Sequence, residues 1–240
     1  MRISVNYLKN FLNIPYSTEK IIEDLTLNGL EVEGVFYPYR DIDSRILIVD
    51  IESVRPHPTN PEWSIVGIND GRQQISVVCG ARNVKSGIKG VWAPHGSRVS
   101  GHTIGEKDFQ GIKSKGMLLS LMELGLEDKS DGIWLFSSKF CSGTPLTNIL
   151  TEDTAVIEIN VTPNRGDALS YLGIARELSA YYNLQITFPP SEYKTRGKKS
   201  EIQIEVRNQK SCPVYQGTIA EGIEIKESDI LIQKLLIESG

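Results

Sequence analysis

The chain has 240 residues, 40% of them apolar, a formal charge of −4 and unremarkable glycine and proline content, which suits one or two ordinary globular cores and excludes a disordered or collagen-like chain. No window approaches the roughly 18 consecutive apolar residues of a membrane span, and Met1-Arg2-Ile3-Ser4-Val5-Asn6 lacks the apolar core of a signal peptide, so a cytoplasmic protein without membrane contact is expected. Cys79, Cys141 and Cys212, odd in number and widely spaced, fit neither a disulfide framework nor a C-x-x-C metal site and read as reduced thiols.

In chain order, Asn6 to Leu12 reads as a short helix. Ser17-Thr18-Glu19-Lys20 opens a second, with apolar positions Ile21, Ile22, Leu25 and Leu27 and a C-cap at Gly29. These elements, residues 1–39, are too few to bury a core alone. From Arg40 to Leu150 the pattern changes to short β-rich runs separated by Gly, Pro, Asn and Asp. Ile46 to Val54 reads as a long strand with Val49 and Ile51 on one face and Asp50 and Glu52 on the other. Asp70-Gly71 between Trp63–Ile68 and Ile75–Val78 signals a hairpin. Further strands are expected at Ile88–Ala93, Arg98–Ile104, Met117–Leu121 and Ile133–Phe136, with a helical turn at Met122–Gly125. This count fits an OB-type barrel.

Ala155 to Val161 alternates as a half-covered strand. The helix after it is expected to start at Thr162-Pro163-Asn164-Arg165-Gly166-Asp167, where Asn164 or Asp167 caps and Arg165 pairs with a carboxylate across the domain; Ala168, Leu172, Ala175, Leu178 and Tyr182 form its stripe. Residues 191–200, with Lys194, Arg196, Lys198 and Lys199, read as a linker, and residues 201–240 as strands at Glu201–Val206 and Val214–Ile219 and a helix from about Ser228 to Glu238. The expected class is therefore α+β: a discontinuous helix/strand domain (1–39 plus 151–190) with an inserted OB-fold barrel (40–150), then the start of a third, α/β domain at 201–240.

Two runs carry the chemistry, Val77-Val78-Cys79-Gly80-Ala81-Arg82-Asn83-Val84 and Gly111-Ile112-Lys113-Ser114-Lys115-Gly116-Met117-Leu118-Leu119-Ser120. Both are strand-like and open into loops of Arg, Asn, Lys and Ser, as on the rim of an RNA-binding barrel. From Arg82 to Lys115 seven basic residues face two acidic ones, a local +5 on a chain of −4. Such a focused patch attracts phosphates. Arg82, Lys85, Arg98, Lys113 and Lys115 are the candidate phosphate contacts, Asn83 and Ser114 the candidate donors to sugar or base edges, and Trp92 and Phe109 the candidate stacking platforms. The chain has no Gly-rich phosphate loop, H-E-x-x-H or G-x-S-x-G, and His57, His95 and His102 lie in predicted turns, so no catalytic or metal-binding residue and no resident cofactor is expected.

On these residues the chain resembles the β subunit of bacterial phenylalanyl-tRNA synthetase. Ile3-Ser4-Val5-Asn6-Tyr7-Leu8-Lys9 and Leu27-Asn28-Gly29-Leu30-Glu31-Val32-Glu33 resemble the family's first segment. Pro56-His57-Pro58, Cys79–Val84 and Ser114–Ser120 resemble its EMAP-type tRNA-binding OB module, Thr162–Leu178 its most specific motif, and Cys212-Pro213-Val214-Tyr215 the start of its editing domain. Gly166 stands where the family usually has Pro, and Asn60-Pro61-Glu62-Trp63 replaces its usual Ala-Asp-Arg/Lys-Leu. The resemblance implies a tRNA partner, an α subunit in a heterotetramer of two α and two β chains, and ATP-dependent attachment of phenylalanine with Mg2+ in the intact enzyme. It also implies that the editing and aminoacylation sites lie beyond this fragment. The alternatives are a stand-alone tRNA-binding module or chaperone, and a deacylase built on the tail.

Overall fold

The computed structural model describes residues 1–137, 139–188, 203–217 and 219–239. The chain forms two compact units, Met1–Phe188 with Glu227–Gly240, and Pro189–Lys226. In the first, β1 (Arg2–Ser4) runs into α1 (Val5–Leu8), followed by α2 (Thr18–Leu27) and β2 (Val32–Phe36). Then come β3 (Leu47–Pro56), β4 (Ser64–Asn69), β5 (Gln74–Cys79), β6 (Ile88–Ala93), the hairpins β7 (Arg98–Val99) to β8 (His102–Thr103) and β9 (Glu106–Phe109) to β10 (Ile112–Lys115), and the short strands β11 (Met117–Leu118) and β12 (Leu135–Phe136). β13 (Val156–Ile159), α3 (Tyr171–Tyr182) and α4 (Ile230–Ser239) complete it.

β1, β13 and β2 form an antiparallel sheet with β13 in the middle. Its inner face and the helices share one core, in which Ile3, Leu8, Ile21, Leu25 and Leu30 from the start of the chain meet Ile157, Ile159, Ile174 and Leu178 from much later. Helix α2 begins where expected, Ser17 accepting from the Lys20 N–H, and Gly29 follows its C-cap at φ +82°. The first helix is only four residues long, because residues 2–4 pair with β13 before it. Helix α3 is capped by Ser170, whose hydroxyl accepts from Gly173 N–H at 3.0 Å, and not by Asn164 or Asp167. Those two precede the cap by several residues, and Gly166–Ala168 forms a separate 3-10 turn.

Six of the remaining strands make one antiparallel sheet in the order β11-β6-β3-β4-β5, with β12 also on β6, while β7–β8 and β9–β10 are separate two-stranded hairpins; β5 lies against both β10 and β11, so the sheet nearly closes into a barrel of the OB kind. Strand β3 alternates as expected, Val49 and Ile51 buried and Glu52 exposed, but Ile48 is buried too. Its two faces serve two cores: Val49 and Ile51 join Val66, Ile68 and Val77, whereas Ile46 and Ile48 join Tyr39, Phe136 and Leu150. The Asp70-Gly71 turn forms, Asp70 Oδ1 accepting from the Arg72 and Gln73 N–H groups at 2.9 Å. The expected strand Arg98–Ile104 is instead a tight hairpin turning at Ser100 and Gly101, φ +46° and +79°, a pair suited to a type I′ turn.

Helix α4 packs Ile230 and Ile237 onto the second core and adds Gln233 to the Trp134 indole at 2.6 Å. In the second unit the described residues 203–206, 214–217 and 219 are not strands, since none has a ladder partner and nearly all are exposed. The linker 191–200 lies outside the described residues. No helix among the described residues is long and apolar enough to cross a membrane.

Buried Asp24 fastens α2 to α3. Tyr182 and Tyr181 donate to its two oxygens at 2.8 and 3.2 Å, and Lys20 stands 2.9 Å away. Burial alone would raise this carboxyl, but the Lys20 and tyrosine donors outweigh it and hold it below the usual carboxylate range. A carboxyl lowered on folding stabilises the native state above its unfolded pKa of about 4, and that contribution disappears as pH falls through the folded value. Asp24→Asn is therefore expected to unfold earlier on heating at pH 7, and to lose less stability than the parent between pH 5 and pH 3 in denaturant titrations. An unchanged acid profile would show that Asp24 does not set it.

Candidate nucleic-acid interface

The two motif runs meet where the barrel closes. Val78 N–H donates to Ser114 Oγ at 3.0 Å, and that hydroxyl donates in turn to the Gly116 carbonyl at 3.0 Å. The Trp92 indole N–H donates to the Lys115 carbonyl at 3.0 Å. Gly116 sits at φ +99°, and a Cβ there would overlap the Ala93 carbonyl oxygen and crowd the Trp92 ring. Ser114-Lys115-Gly116 is thus knitted to β5 and β6 by its backbone, which sets Met117 opposite Ala93 at the start of β11.

Beside this seam lies an open groove of about 510 Å³ whose lining includes Trp63, Val78, Gly80, Lys107, Phe109 and Met117. A smaller cleft of about 280 Å³ shares Val78, Gly80 and Met117 with it and continues to Met122 and Ile133. Trp63 reaches the groove because Asn60-Pro61-Glu62-Trp63 is a turn: Trp63 N–H donates to Asn60 O at 3.2 Å, and Glu62 N–H to Asn60 Oδ1 at 2.9 Å. Trp63 and Phe109 meet edge to face at 5.1 Å, and His57 packs on Trp63 at 5.4 Å. Buried His57 donates from Nε2 to the Phe109 carbonyl at 3.0 Å and accepts at Nδ1 from Thr59 N–H at 3.3 Å, tying the Pro56–Thr59 loop to the β9–β10 hairpin.

The structure separates the expected contacts. Arg82, Lys113 and Lys115 are exposed, and no ion pair holds them among the described residues. On the hairpin, however, Lys113 stands opposite Asp108 and Lys115 opposite Glu106. Lys85 pairs with Glu227 at 3.3 Å. Arg98 lines a different cleft, of about 780 Å³, with Asp41, Asp43 and Glu123; Arg45 donates to Asp43 and holds its carboxyl far below the usual range, and the Arg98 N–H donates to the same carboxylate. Ser114 is buried with its hydroxyl committed inside the barrel, and Asn83 spends its amide on Ile133, accepting from its N–H at 3.0 Å and donating to its carbonyl at 2.8 Å. Trp92 is 5% exposed and belongs to the core. Phe109 borders the groove beside the seam, whereas Trp92 touches only a separate cleft of about 340 Å³ with His95 and Lys115. Trp63 and Lys107, absent from the sequence-based set, are groove residues that the Asn60 turn and the hairpin add.

Arg165 pairs with Asp167 at 3.0 Å and with Glu177 at 2.6 Å, both within its own segment and not across the domain. Asn164 accepts from the Thr162 hydroxyl at 2.7 Å. This cluster shapes the approach to α3. Burial pushes the Cys79 thiol up, which disfavours the thiolate needed for a nucleophile. Among the described residues no three His, Cys, Asp or Glu side chains gather into a metal-binding group.

Asn83→Ala leaves the polar groups of largely buried Ile133 without their partner and is expected to cost about 1–3 kcal/mol in urea or thermal unfolding. Its affinity for RNA, measured where it is folded, should match the parent. A loss of affinity with unchanged stability would instead make Asn83 a direct contact.

Residues 46–145, which span the barrel, the hairpins and the groove, match a family model described as "Putative tRNA binding domain". The whole chain is similar to the phenylalanine–tRNA ligase beta subunit of Oleidesulfovibrio alaskensis, 34% identical over 243 residues, covering 100% of this chain and 30% of that protein. With the same subunit of Chlorobaculum tepidum it is 36% identical over 247 residues, again 100% of this chain and 30% of that protein. A solved structure, the MetRS related protein from Pyrococcus horikoshii, covers 42% of this chain and 87% of its own at 15% identity and a TM-score of 0.32. The chain spans about 30% of the length of the curated relatives it matches. Over its whole length this chain is thus similar to phenylalanine–tRNA ligase beta subunits, of which it spans under a third, and its residues 46–145 match the tRNA-binding domain model.

Proposed function

We propose that this chain is the tRNA-binding, amino-terminal part of a phenylalanine–tRNA ligase β subunit, supporting ATP-dependent attachment of phenylalanine to tRNA(Phe) in the cytoplasm. The carrying observation is a coincidence of place: residues 46–145, matched to the tRNA-binding family, contain the seam where both motif runs meet beside an open groove. The identity also extends over the flanking residues on both sides of that module, which favours the ligase subunit over a stand-alone tRNA-binding module or chaperone. The proposed organisation is a host domain of residues 1–39 and 151–190, the inserted barrel of 40–150, a linker at 191–200, and the start of an editing-type domain at 201–240. ATP, Mg2+ and an α subunit, two of each chain, belong to the intact enzyme in this reading. Nothing in this chain is assigned a catalytic step.

The chemistry is electrostatic and local. Arg82, Lys107, Lys113 and Lys115 neutralise phosphates along the hairpin and the loop after β5, while Arg98 and Lys85 take no part. Titration of the chain with tRNA is expected to give binding in the micromolar range or weaker, with log affinity falling by roughly 0.7 per log unit of salt for each single-strand phosphate contact. Charge reversal at Lys113 and Lys115 together should weaken binding more than reversal at Lys198 and Lys199, which lie outside the described residues. Salt-independent binding, or equal losses from both pairs, would refute the assignment to the barrel.

A further inference from the structure

We infer that the groove between Trp63, Phe109 and Met117 is a pocket for a single unstacked nucleobase of the bound RNA, with Lys107 at its mouth taking the adjoining phosphate. This rests on the reading that the barrel binds tRNA, and goes beyond it by placing the stacking site in one groove, in which Phe109 is joined by Trp63 and Met117 and not by Trp92. The groove's volume, about 510 Å³, falls within the roughly 300–1,000 Å³ of small-molecule sites. Its walls are an indole, a phenyl ring and a thioether, surfaces on which any base can lie regardless of sequence. Met117 is 37% exposed although it begins a barrel strand, so part of its side chain faces solvent beside the groove.

Three further features suit this occupant. Lys107 stands opposite Ser114 across the hairpin, whose hydroxyl is committed inward, and makes no ion pair among the described residues, so its ammonium is available to a phosphate. The aromatic wall is held in place before any ligand arrives: His57 grips the Phe109 carbonyl, and the Thr59 hydroxyl donates to Gln110 at the hairpin turn. Gly80 forms part of the lining, and a Cβ there would stand 3.8 Å from the Trp63 ring, narrowing the space beside it. A base inside a duplex cannot offer its face to such walls, so the occupant comes from a loop, a bulge or an end of the RNA.

The chain holds its own reporter. Trp92 and Trp134 are 5% and 3% exposed and hydrogen-bonded inside, which leaves Trp63 as the tryptophan that a base can reach. Titration with unmodified tRNA, followed by tryptophan emission and in parallel by gel shift, is expected to show quenching that saturates with the shift. Trp63→Ala should weaken binding about 5- to 150-fold, the cost of one base–aromatic stack, while Trp63→Phe should keep most of the affinity and lose the optical signal. Because Trp63 also packs on His57, Lys107→Glu serves as a second variant outside the aromatic packing, and should lower the salt slope by about one phosphate contact. A gel shift with unchanged emission, parental affinity for Trp63→Ala and a parental salt slope for Lys107→Glu would overturn the base pocket while leaving tRNA binding intact. No gel shift at all would overturn the tRNA reading itself.

Discussion

The cationic side of the barrel depends on one buried hydroxyl. Ser114 accepts from Val78 N–H on β5 and donates to the Gly116 carbonyl beyond its own strand, so one side chain bridges two backbones that share no regular ladder. A barrel needs its end strands held to each other if it is to hide their edges. Here two hairpins, β7–β8 and β9–β10, are interposed in the chain between β6 and β11, and the seam is made by Ser114, by the Trp92 indole on Lys115 and by the bare Cα of Gly116. Each of these three contacts engages the backbone of 114–116, leaving the side chains of Lys115 and Met117 to solvent. The rim motif is therefore structural at every second position and available for a ligand at the others.

The same division of labour appears at the barrel's junction with the rest of the first unit. Tyr39, where the chain comes in, and Leu146, Ile149 and Leu150, where it leaves, are buried in one cluster with Trp134 and Phe136, so both connections are fixed by packing. Helix α4 attaches there largely through polar groups. Gln233 bridges the Trp134 indole and the Leu135 carbonyl, Lys234 donates to the Ile149 carbonyl at 2.9 Å, and Glu238 is buried 3.6 Å from Lys234. Leu231, Ile232 and Leu236 on the same helix are 52%, 55% and 64% exposed. A buried ion pair with hydrogen-bonded carbonyls contributes orientation more than net stability, so these direction-specific contacts orient a helix that Ile230 and Ile237 anchor in the second core.

The parts of the fold set by local chemistry were legible in the chain. Ser17 and Gly29 bound α2, Ile88–Ala93 is a strand to the residue, and the Asp70-Gly71 turn is where period-two runs flank it. What escaped reading depended on partners far away. Nothing in residues 2–4 announces a strand until β13 is present to pair with it, and Glu106–Lys115 carries too few apolar residues to look like a hairpin until Gln110 and Gly111, φ +53° and +92°, are seen to turn it. The candidate site shows the same limit. Residue type marked Ser114, Asn83 and Trp92 as donors and a platform, yet a hydroxyl, an amide or an indole serves the protein's own backbone equally well, and only the folded structure shows Ser114 and Trp92 buried and the exposed Asn83 bonded to Ile133. Trp63 was invisible as a ligand group because its exposure depends on the turn that Asn60 makes.

Counting charges along the chain also overstated the field. Seven cations lie from Arg82 to Lys115, but Lys89 is paired with Asp50 at 2.5 Å, Lys85 with Glu227, and Arg98 lines a separate cleft with Asp41, Asp43 and Glu123. Lys113 and Lys115 each look across the hairpin at a carboxylate. Arg82 and Lys107 remain without an opposing acid at close range among the described residues. With so few uncompensated charges, phosphate neutralisation alone yields weak and strongly salt-sensitive affinity, whereas a stacked base adds a contribution that salt barely screens. On the proposed reading, an interface built this way would discriminate against duplex polyanions, which present charge without a free base face, in favour of a folded RNA with an unstacked nucleotide.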